Sequence, residues 1–199
     1  PDAVLNHQRM RSQIHPDDLV NVVEKAFDEA LTSSFYHYEA RIIWPDKSIH
    51  WIRTKGKVMY TDQQLPTRMI GTLLDITEDK LIQEEVSRLA AIVQSSADAI
   101  ISKKLDGTIT TWNEAAEKMF GYMAEEIIGR PVSLLIPSDR MEEEKDILEN
   151  IGKGRGVYSL ETKRIKKSGA EVDIYVSISP ITDNNGKIIG SSKIACDIT

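Results

Sequence analysis

The chain has 199 residues, 41% hydrophobic and 28% charged, which is typical of a soluble globular protein with core enough for one large or two small domains. Its net charge of −6 disfavours nucleic-acid and anionic-membrane partners, because both need a basic surface. No apolar run reaches the ~20 residues that span a bilayer, and the single cysteine, Cys196, excludes an internal disulfide. We expect a cytoplasmic segment that contacts neither nucleic acid nor membrane.

The first part of the chain is predicted to contain one helix and three strands. Apolar residues at helical spacing predict a helix over residues 17–31. Extended segments follow at 35–44, 48–60 and 66–76, with short polar turns between them. Three consecutive antiparallel strands are therefore expected.

A connecting helix is predicted next. Residues 77–93 contain neither proline nor glycine and are rich in Glu, Lys, Gln and Leu. Ile82, Val86, Leu89 and Val93 follow the spacing of a coiled-coil seam, which favours a homodimer. The alternative is that this stripe packs against one of the chain's own sheets.

The second part of the chain is predicted to form a complete α+β unit. Its Asn185-Gly186 pair before an apolar run is a strong hairpin signal. A five-stranded antiparallel sheet needs helices to bury one of its faces, so helices on one face are expected. The predicted strands are 99–105, 108–112, 157–166, 171–182 and 187–198, with short helices over 113–129 and a longer helix at 139–151.

The two parts are related by an internal repeat. Asp75-Ile76-Thr77 recurs as Asp197-Ile198-Thr199, an offset of 197 − 75 = 122 residues. The same offset aligns Glu39 with Glu161, and the predicted elements recur in the same order. Residues 95–122 have no counterpart in the first copy. We expect the first copy to be partial.

Several short motifs in the second copy resemble the PAS sensor family. They are Asp106-Gly107-Thr108-Ile109, Trp112-Asn113-Glu114-Ala115-Ala116, Phe120-Gly121-Tyr122, Glu125-Glu126-Ile127-Ile128-Gly129 and the closing Asp197-Ile198-Thr199. The first copy resembles the C-terminal part of such a domain through Ile14-His15-Pro16-Asp17-Asp18 and the segment 71–80. The resemblance implies a partial PAS domain at 1–77, a connecting signalling helix at 78–94 and a complete PAS domain at 95–199.

The resemblance also implies a function. A tandem of PAS domains is expected to be the sensory and dimerisation segment of a larger bacterial-type or archaeal signalling protein. The output domain of that parent, a histidine kinase of a two-component system or a cyclic-dinucleotide enzyme, would lie outside these residues. No catalytic residues are therefore proposed. A purely structural spacer is a further alternative.

Four polar residues are candidates for signal relay. Asp75, Thr77, Asp197 and Thr199 lie where a last strand ends and, in this family, a signalling helix follows. A carboxylate or hydroxyl at that point can cap the first turn of the helix and couple strand to helix. A plain structural cap is the alternative.

A ligand pocket is expected between the helices and the sheet of the second copy, although these residues can equally be plain core. The pattern favours a small apolar or aromatic ligand over a charged one. The charged run 140–145 is interpreted as a solvated helix face. The candidate pocket residues are Ile101, Trp112, Met119, Phe120, Ile128, Leu135, Ile147, Leu148, Ile174, Val176 and Ile194.

No cofactor or metal is predicted. PAS domains that bind haem resemble one another in a histidine on the long helix, and the predicted helix at 139–151 contains no histidine. Photosensory PAS domains resemble one another in a cysteine motif, and Cys196 lies outside such a motif. Noncovalent flavin, favoured only by Trp44, Trp51 and Trp112, is the alternative function. His37 and His50 lie on neighbouring predicted strands, but without further ligands we interpret them as surface residues rather than a metal site.

Overall fold

The structure is a computed structural model that describes residues 10–154 and 158–199. The chain divides into two compact units, Pro1–Ser87 and Arg88–Thr199. The division falls within the connecting helix.

The first unit packs a helical segment against a three-stranded antiparallel sheet. The helical segment, α1, consists of Pro16–Asp18, a π-helical stretch Leu19–Glu24 and Lys25–Ser33. The strands β1 (Phe35–Ile43), β2 (Ile49–Tyr60) and β3 (Pro66–Asp75) lie in the order β1-β2-β3. The core lies between α1 and the sheet and contains Ile14, Val23, Ala30, Tyr36, Tyr38, Ala40, Ile52 and Val58.

Asp18 ties α1 to the first strand. Its carboxylate accepts hydrogen bonds from the Arg41 backbone N–H at 2.8 Å and from Arg41 Nε at 2.9 Å. The Arg41 side-chain hydrogen bonds lower the pKa of Asp18, more than burial raises it. This ion pair therefore fixes the start of α1 against β1.

The connecting helix, α2, is Thr77–Gln94, one residue longer than predicted. It buries none of its residues. Two acidic residues in its first turn, Glu78 and Asp79, suit the positive end of the helix dipole.

The second unit is a five-stranded antiparallel sheet with helices on one face, as predicted. Its strands are β4 (Ala99–Lys104), β5 (Ile109–Trp112), β6 (Tyr158–Ile165), β7 (Glu171–Thr182) and β8 (Ile188–Asp197), in the spatial order β5-β4-β8-β7-β6. Residue 157, the predicted start of β6, lies outside the described residues. The helices are α3 (Glu114–Phe120), α4 (Ala124–Ile127) and α5 (Met141–Gly152), with 3-10 turns at Val132–Leu135 and Ser138–Arg140.

The strand ladders of the two units coincide at the 122-residue offset. Ile52 pairs with Asp75 in the first unit, and Ile174 pairs with Asp197 in the second. The register of the last two strands also shifts at corresponding positions, between Met59 and Tyr60 and between Ile181 and Thr182. The two units therefore share the register of their last strands as well as the order of their elements.

Candidate functional site

The interior of the second unit, between α5 and the sheet, contains most of the predicted pocket residues. Seven of them are at most 5% exposed: Ile101, Trp112, Phe120, Leu135, Ile147, Ile174 and Val176. Met119 packs against this core while partly buried, and Leu148 is also partly buried. All of these residues except Leu148 belong to one hydrophobic core.

Two predicted pocket residues lie outside this interior. Ile128 is 46% exposed and Ile194 is 44% exposed. Ile194 is an apolar residue on β8, but successive side chains of a strand point to opposite faces. Lys193 and Ala195, its neighbours, are both buried, so Ile194 faces outward. Ile128 follows the end of α4 and leaves the packed face of that helix.

The same alternation places charged side chains inside the unit. Lys103 on β4, Arg164 on β6 and Lys193 on β8 are at most 5% exposed, and so is Glu144 on α5. Lys103 Nζ forms an ion pair with Glu144 Oε1. Lys193 Nζ donates to Glu144 Oε2 at 2.6 Å. One carboxylate from the helix thus neutralises two lysines from neighbouring strands; we call Lys103, Glu144, Arg164 and Lys193 the interior charge cluster.

The cluster continues towards the edge of the sheet. Arg164 Nη2 lies 3.9 Å from Glu144 Oε2 and donates to Glu143 Oε1 at 3.0 Å. Arg164 Nη1 donates to the buried hydroxyl of Thr162 at 2.9 Å, and Thr162 Oγ1 donates to Glu143 at 3.0 Å. Glu143 is therefore the partly exposed end of a network that begins with Lys103.

The pKa shifts follow from burial and from mutual repulsion of the cations. Burial, with the nearby charges of Lys193 and Arg164, lowers the pKa of Lys103. Burial and the Arg164 charge lower the pKa of Lys193 in the same way. Burial also lowers the pKa of Arg164. Burial raises the pKa of Glu143, but hydrogen bonds from Arg164 and Thr162 outweigh it and leave that pKa lowered.

These contacts correct two sequence-based interpretations. The charged run 140–145 is not wholly a solvated face, since Glu144 is buried against the sheet. The interior also holds charged side chains, whereas the pocket was predicted from apolar residues alone. A signal was available in the sequence: Ala99 and Ile101 alternate into the core, and the same alternation points Lys103 inward.

Asn113 joins the end of the connecting helix to the second sheet. Its side-chain carbonyl accepts from Ala116 N at 3.0 Å, which caps α3, and from Ile100 N at 2.9 Å. Its amide group donates to Val93 O and Asp98 O, each at 3.0 Å. One buried side chain thus satisfies four backbone groups on α2, β4, α3 and the loop between them.

The candidate relay residues lie at the predicted strand ends. Asp75 Oδ1 accepts from Thr77 N at 2.9 Å, and Thr77 Oγ1 accepts from Trp51 N at 2.9 Å. At the end of the second unit, Asp197 Oδ1 accepts from Thr199 N at 2.9 Å. In the first unit these bonds connect the start of α2 to β2 and β3.

An outer-face cluster also holds the first turn of α2. Glu39 accepts from Arg53 Nε at 2.7 Å and pairs with Lys80 Nζ at 2.8 Å. The Lys80 ammonium lies 5.1 Å from the centre of the Trp51 ring, within range of a cation–π interaction. Hydrogen bonds from Lys80 and Arg53 lower the pKa of Glu39.

His37 and His50 do not lie close together on the sheet. His37 lies opposite Lys55 and His50 lies opposite Ile42, so the two are five positions apart along the sheet, or about 17 Å. In residues 10–154 and 158–199 no group of three His, Cys, Asp or Glu residues is placed to hold a metal ion. Cys196 is partly buried and donates to Asp98 Oδ1 at 3.0 Å; this bond and burial raise the pKa of its thiol.

The three tryptophans that favoured a flavin do not lie around one interior. Of the three tryptophans, Trp112 alone lies in the second interior, where Nε1 donates to Tyr122 O at 3.0 Å. Trp44 stacks on His50 with ring centres 3.7 Å apart, and Trp51 lies on the outer face of the first sheet.

The first unit has a cleft of its own, between α1 and the inner face of the sheet, of about 1120 Å³. It is largely apolar, and its lining includes Phe27, Leu31, Tyr36, Ile52, Val58 and Met69. Among the described residues, β3 pairs with β2 only. From residue 10 onwards, the first unit therefore places no further strands at the β3 edge, whereas β4 and β5 extend the second sheet beyond β8.

No helix in the described part of the chain combines the length and apolar character that a membrane span requires.

Comparison with curated proteins finds relatives among signalling proteins. The chain is 27% identical over its whole length to the probable diguanylate cyclase DgcE of Escherichia coli (strain K12), of which it covers 18%. It is 31% identical, over 69% of its length, to the signal transduction histidine-protein kinase AtoS of the same organism, of which it covers 23%. The chain therefore spans about a fifth of the length of these relatives.

Solved structures and family models both match this chain to the PAS fold, and the family models match it in two places. A PAS domain from Colwellia psychrerythraea superimposes with a TM-score of 0.54 at 28% identity, covering 58% of this chain and 98% of that one. PAS-fold family models match residues 1–73 and residues 87–198. The second match alone spans more than half of the chain, and together with the repeated register it shows that the chain belongs to the PAS family, with two sensor domains in tandem.

Proposed function

We propose that this tandem is the sensory and dimerisation segment of a larger cytoplasmic signalling protein. The output domain of that larger protein is a histidine kinase of a two-component system or a cyclic-dinucleotide enzyme, and it lies outside these 199 residues. The segment itself is therefore not an enzyme. The names of the relatives and the small share of each that this chain spans support the proposal. The PAS architecture also supports it, because it provides an interior in which a ligand can bind and a helix that can transmit the resulting change.

The observation that carries the dimer part of the proposal is the exposed apolar stripe of α2. Ile82, Val86, Leu89 and Val93 are between 37% and 60% exposed. Leu81 and Ile92 flank them and are exposed as well. A stripe of this spacing on a helix that buries none of its residues supports pairing with a second copy over packing on the chain's own sheets.

The dimer is tested by a charge placed in the seam. Val86→Glu is expected to weaken dimerisation at least about tenfold, because two carboxylates would face each other across the seam. Ala91→Glu is the matched control, since Ala91 is exposed on the opposite face of α2. Sedimentation equilibrium gives both dissociation constants. A wild-type chain that stays monomeric at high micromolar concentration contradicts the proposal, as does equal weakening by both variants.

The relay part of the proposal concerns Asp75 and Thr77, with Asp197 and Thr199 as their counterparts. Because Asp75 and Thr77 connect β2, β3 and the first turn of α2, a shift of the sheet is passed to the helix. Asp75→Asn in the full-length parent is expected to change output activity severalfold while the melting temperature shifts by no more than a few degrees. Asp79→Asn, an exposed aspartate two residues into α2, should change neither. A parallel loss of stability and output in Asp75→Asn would reduce these residues to a structural cap.

A further inference from the structure

The interior charge cluster contains more basic than acidic groups. Lys103, Arg164 and Lys193 supply three basic groups, all nearly inaccessible to solvent. Glu144 is the single carboxylate of the cluster, and the partly exposed Glu143 outside it is shared between Arg164 and Arg140. Because burial and mutual repulsion lower the pKa of both lysines, a carboxylate placed between them stabilises their protonated forms.

A hydroxyl without a partner lies beside these cations. Ser191 is fully buried on β8 and faces Lys103 across the β4–β8 ladder. Its Oγ makes no hydrogen bond within the described residues. A buried hydroxyl next to two lysines is a further donor for a bound carboxylate.

The first unit shows that the PAS fold does not require this cluster. At the 122-residue offset, Glu144 corresponds to Val22, Arg164 to Ile42 and Lys193 to Gly71. These positions carry no charge, although the strand register is shared. The charges are therefore a property of the second unit, and stability of the common fold does not account for them.

We propose that Lys103, Lys193 and Arg164 form a binding site for a small organic carboxylate, which the Glu144 carboxylate occupies when no ligand is bound. This inference rests on the proposed sensory function and names the class of its ligand. The two lysines already bind a carboxylate supplied by α5, so the site has the charge and the donors for that group. A soluble carboxylate that takes the place of Glu144 releases α5 from β4 and β8, which gives the sensor two states.

The experiment titrates the whole chain with acetate and succinate at pH 7, at ionic strength matched with sodium chloride. Inorganic phosphate serves as a comparison anion. Calorimetry gives the dissociation constant, and thermal unfolding gives an independent stabilisation. Wild type is expected to bind at least one of the carboxylates in the millimolar range or tighter. Glu144→Gln, which removes the internal competitor, is expected to bind it at least about tenfold more tightly.

Two lysine variants locate the site. Lys103→Met and Lys193→Met are each expected to lose at least about tenfold in affinity, while Lys104→Met, at the exposed neighbour on β4, leaves affinity unchanged. Circular dichroism selects the variants that remain folded. If both lysine variants unfold, the wild-type and Glu144→Gln titrations decide the question.

Three results would overturn the proposal: no carboxylate binds wild type beyond the chloride-matched control, phosphate alone binds, or binding persists unchanged in folded Lys103→Met. None of them bears on the seam of α2. If the chain dimerises but binds no carboxylate, the carboxylate site is rejected and the proposed function stands. If the chain binds carboxylate but stays monomeric, the dimerisation part of the proposed function is rejected and the site stands.

Discussion

Replacing Glu144 with glutamine is expected to lower the free energy of unfolding of the second unit by about 3–5 kcal/mol, the range for removing one partner of a buried ion pair. The glutamine has nearly the same volume, so packing is preserved. What is lost is the carboxylate that neutralises Lys103 and Lys193. When no added carboxylate takes its place, one or both lysines must lose a proton or draw water into the core, and each pKa unit of such a shift costs about 1.4 kcal/mol.

The measurement is denaturant unfolding followed by the fluorescence of Trp112, in a background where Trp44 and Trp51 are replaced by phenylalanine. Trp112 then reports on the second unit alone. Glu142→Gln, an exposed glutamate on the same helix, is the matched control and should change stability by no more than about 0.5 kcal/mol. Equal, small effects of the two substitutions would show that the cluster is hydrated and contributes little.

Asn113→Ala is expected to lower the same free energy by about 3 kcal/mol. The substitution leaves two backbone N–H groups, of Ile100 and Ala116, and two carbonyls, of Val93 and Asp98, without their side-chain partner. A lost helix cap alone costs about 1 kcal/mol, and the additional buried groups raise the penalty above that value. The end of α2 should also fray, because the Val93 carbonyl loses its tie to the second unit.

The control for Asn113 is Asn184→Ala, in the exposed turn before β8, with an expected effect within about 0.5 kcal/mol. Unfolding is followed by Trp112 fluorescence as above, and hydrogen exchange of the amides at 90–96 reports on the end of α2. A loss of only about 1 kcal/mol with unchanged exchange would mean that Asn113 acts as a simple cap. It would also mean that the connecting helix is held by other contacts.

Most of the secondary structure was predictable because its signals are local. Strand β7 begins and ends at the predicted residues, since one buried face imposes a two-residue alternation from Val172 to Ile178. The hairpin before β8 was predictable from Asn185-Gly186, and Gly186 has the expected positive φ of 77°. The 122-residue repeat also predicted topology. Because the same pattern of elements occurs twice, the last strands of both units were expected to pair in the same way, and their registers do correspond.

The candidate site was predicted less well because its decisive contacts are not local. Lys193 is 49 residues from Glu144 along the chain, and nothing in the apolar pattern of β8 indicates that a lysine rather than Ile194 faces the core. Hydrophobicity alone assigns Lys103, Lys193 and Glu144 to solvent. Their burial depends on ion pairs between a carboxylate of α5 and lysines of two strands. These ion pairs form only in the folded state, so their contribution to stability cannot be predicted from the local sequence.

The PAS fold, the tandem repeat and the helix between the copies could be predicted from residue patterns, because periodicity, turn chemistry and repeated motifs act over short stretches of chain. The content of the second interior depends on contacts between distant elements. Charge pairing across four elements overrides the preference of each single residue for water. The core that the apolar pattern predicts therefore also holds Lys103, Arg164, Lys193 and Glu144.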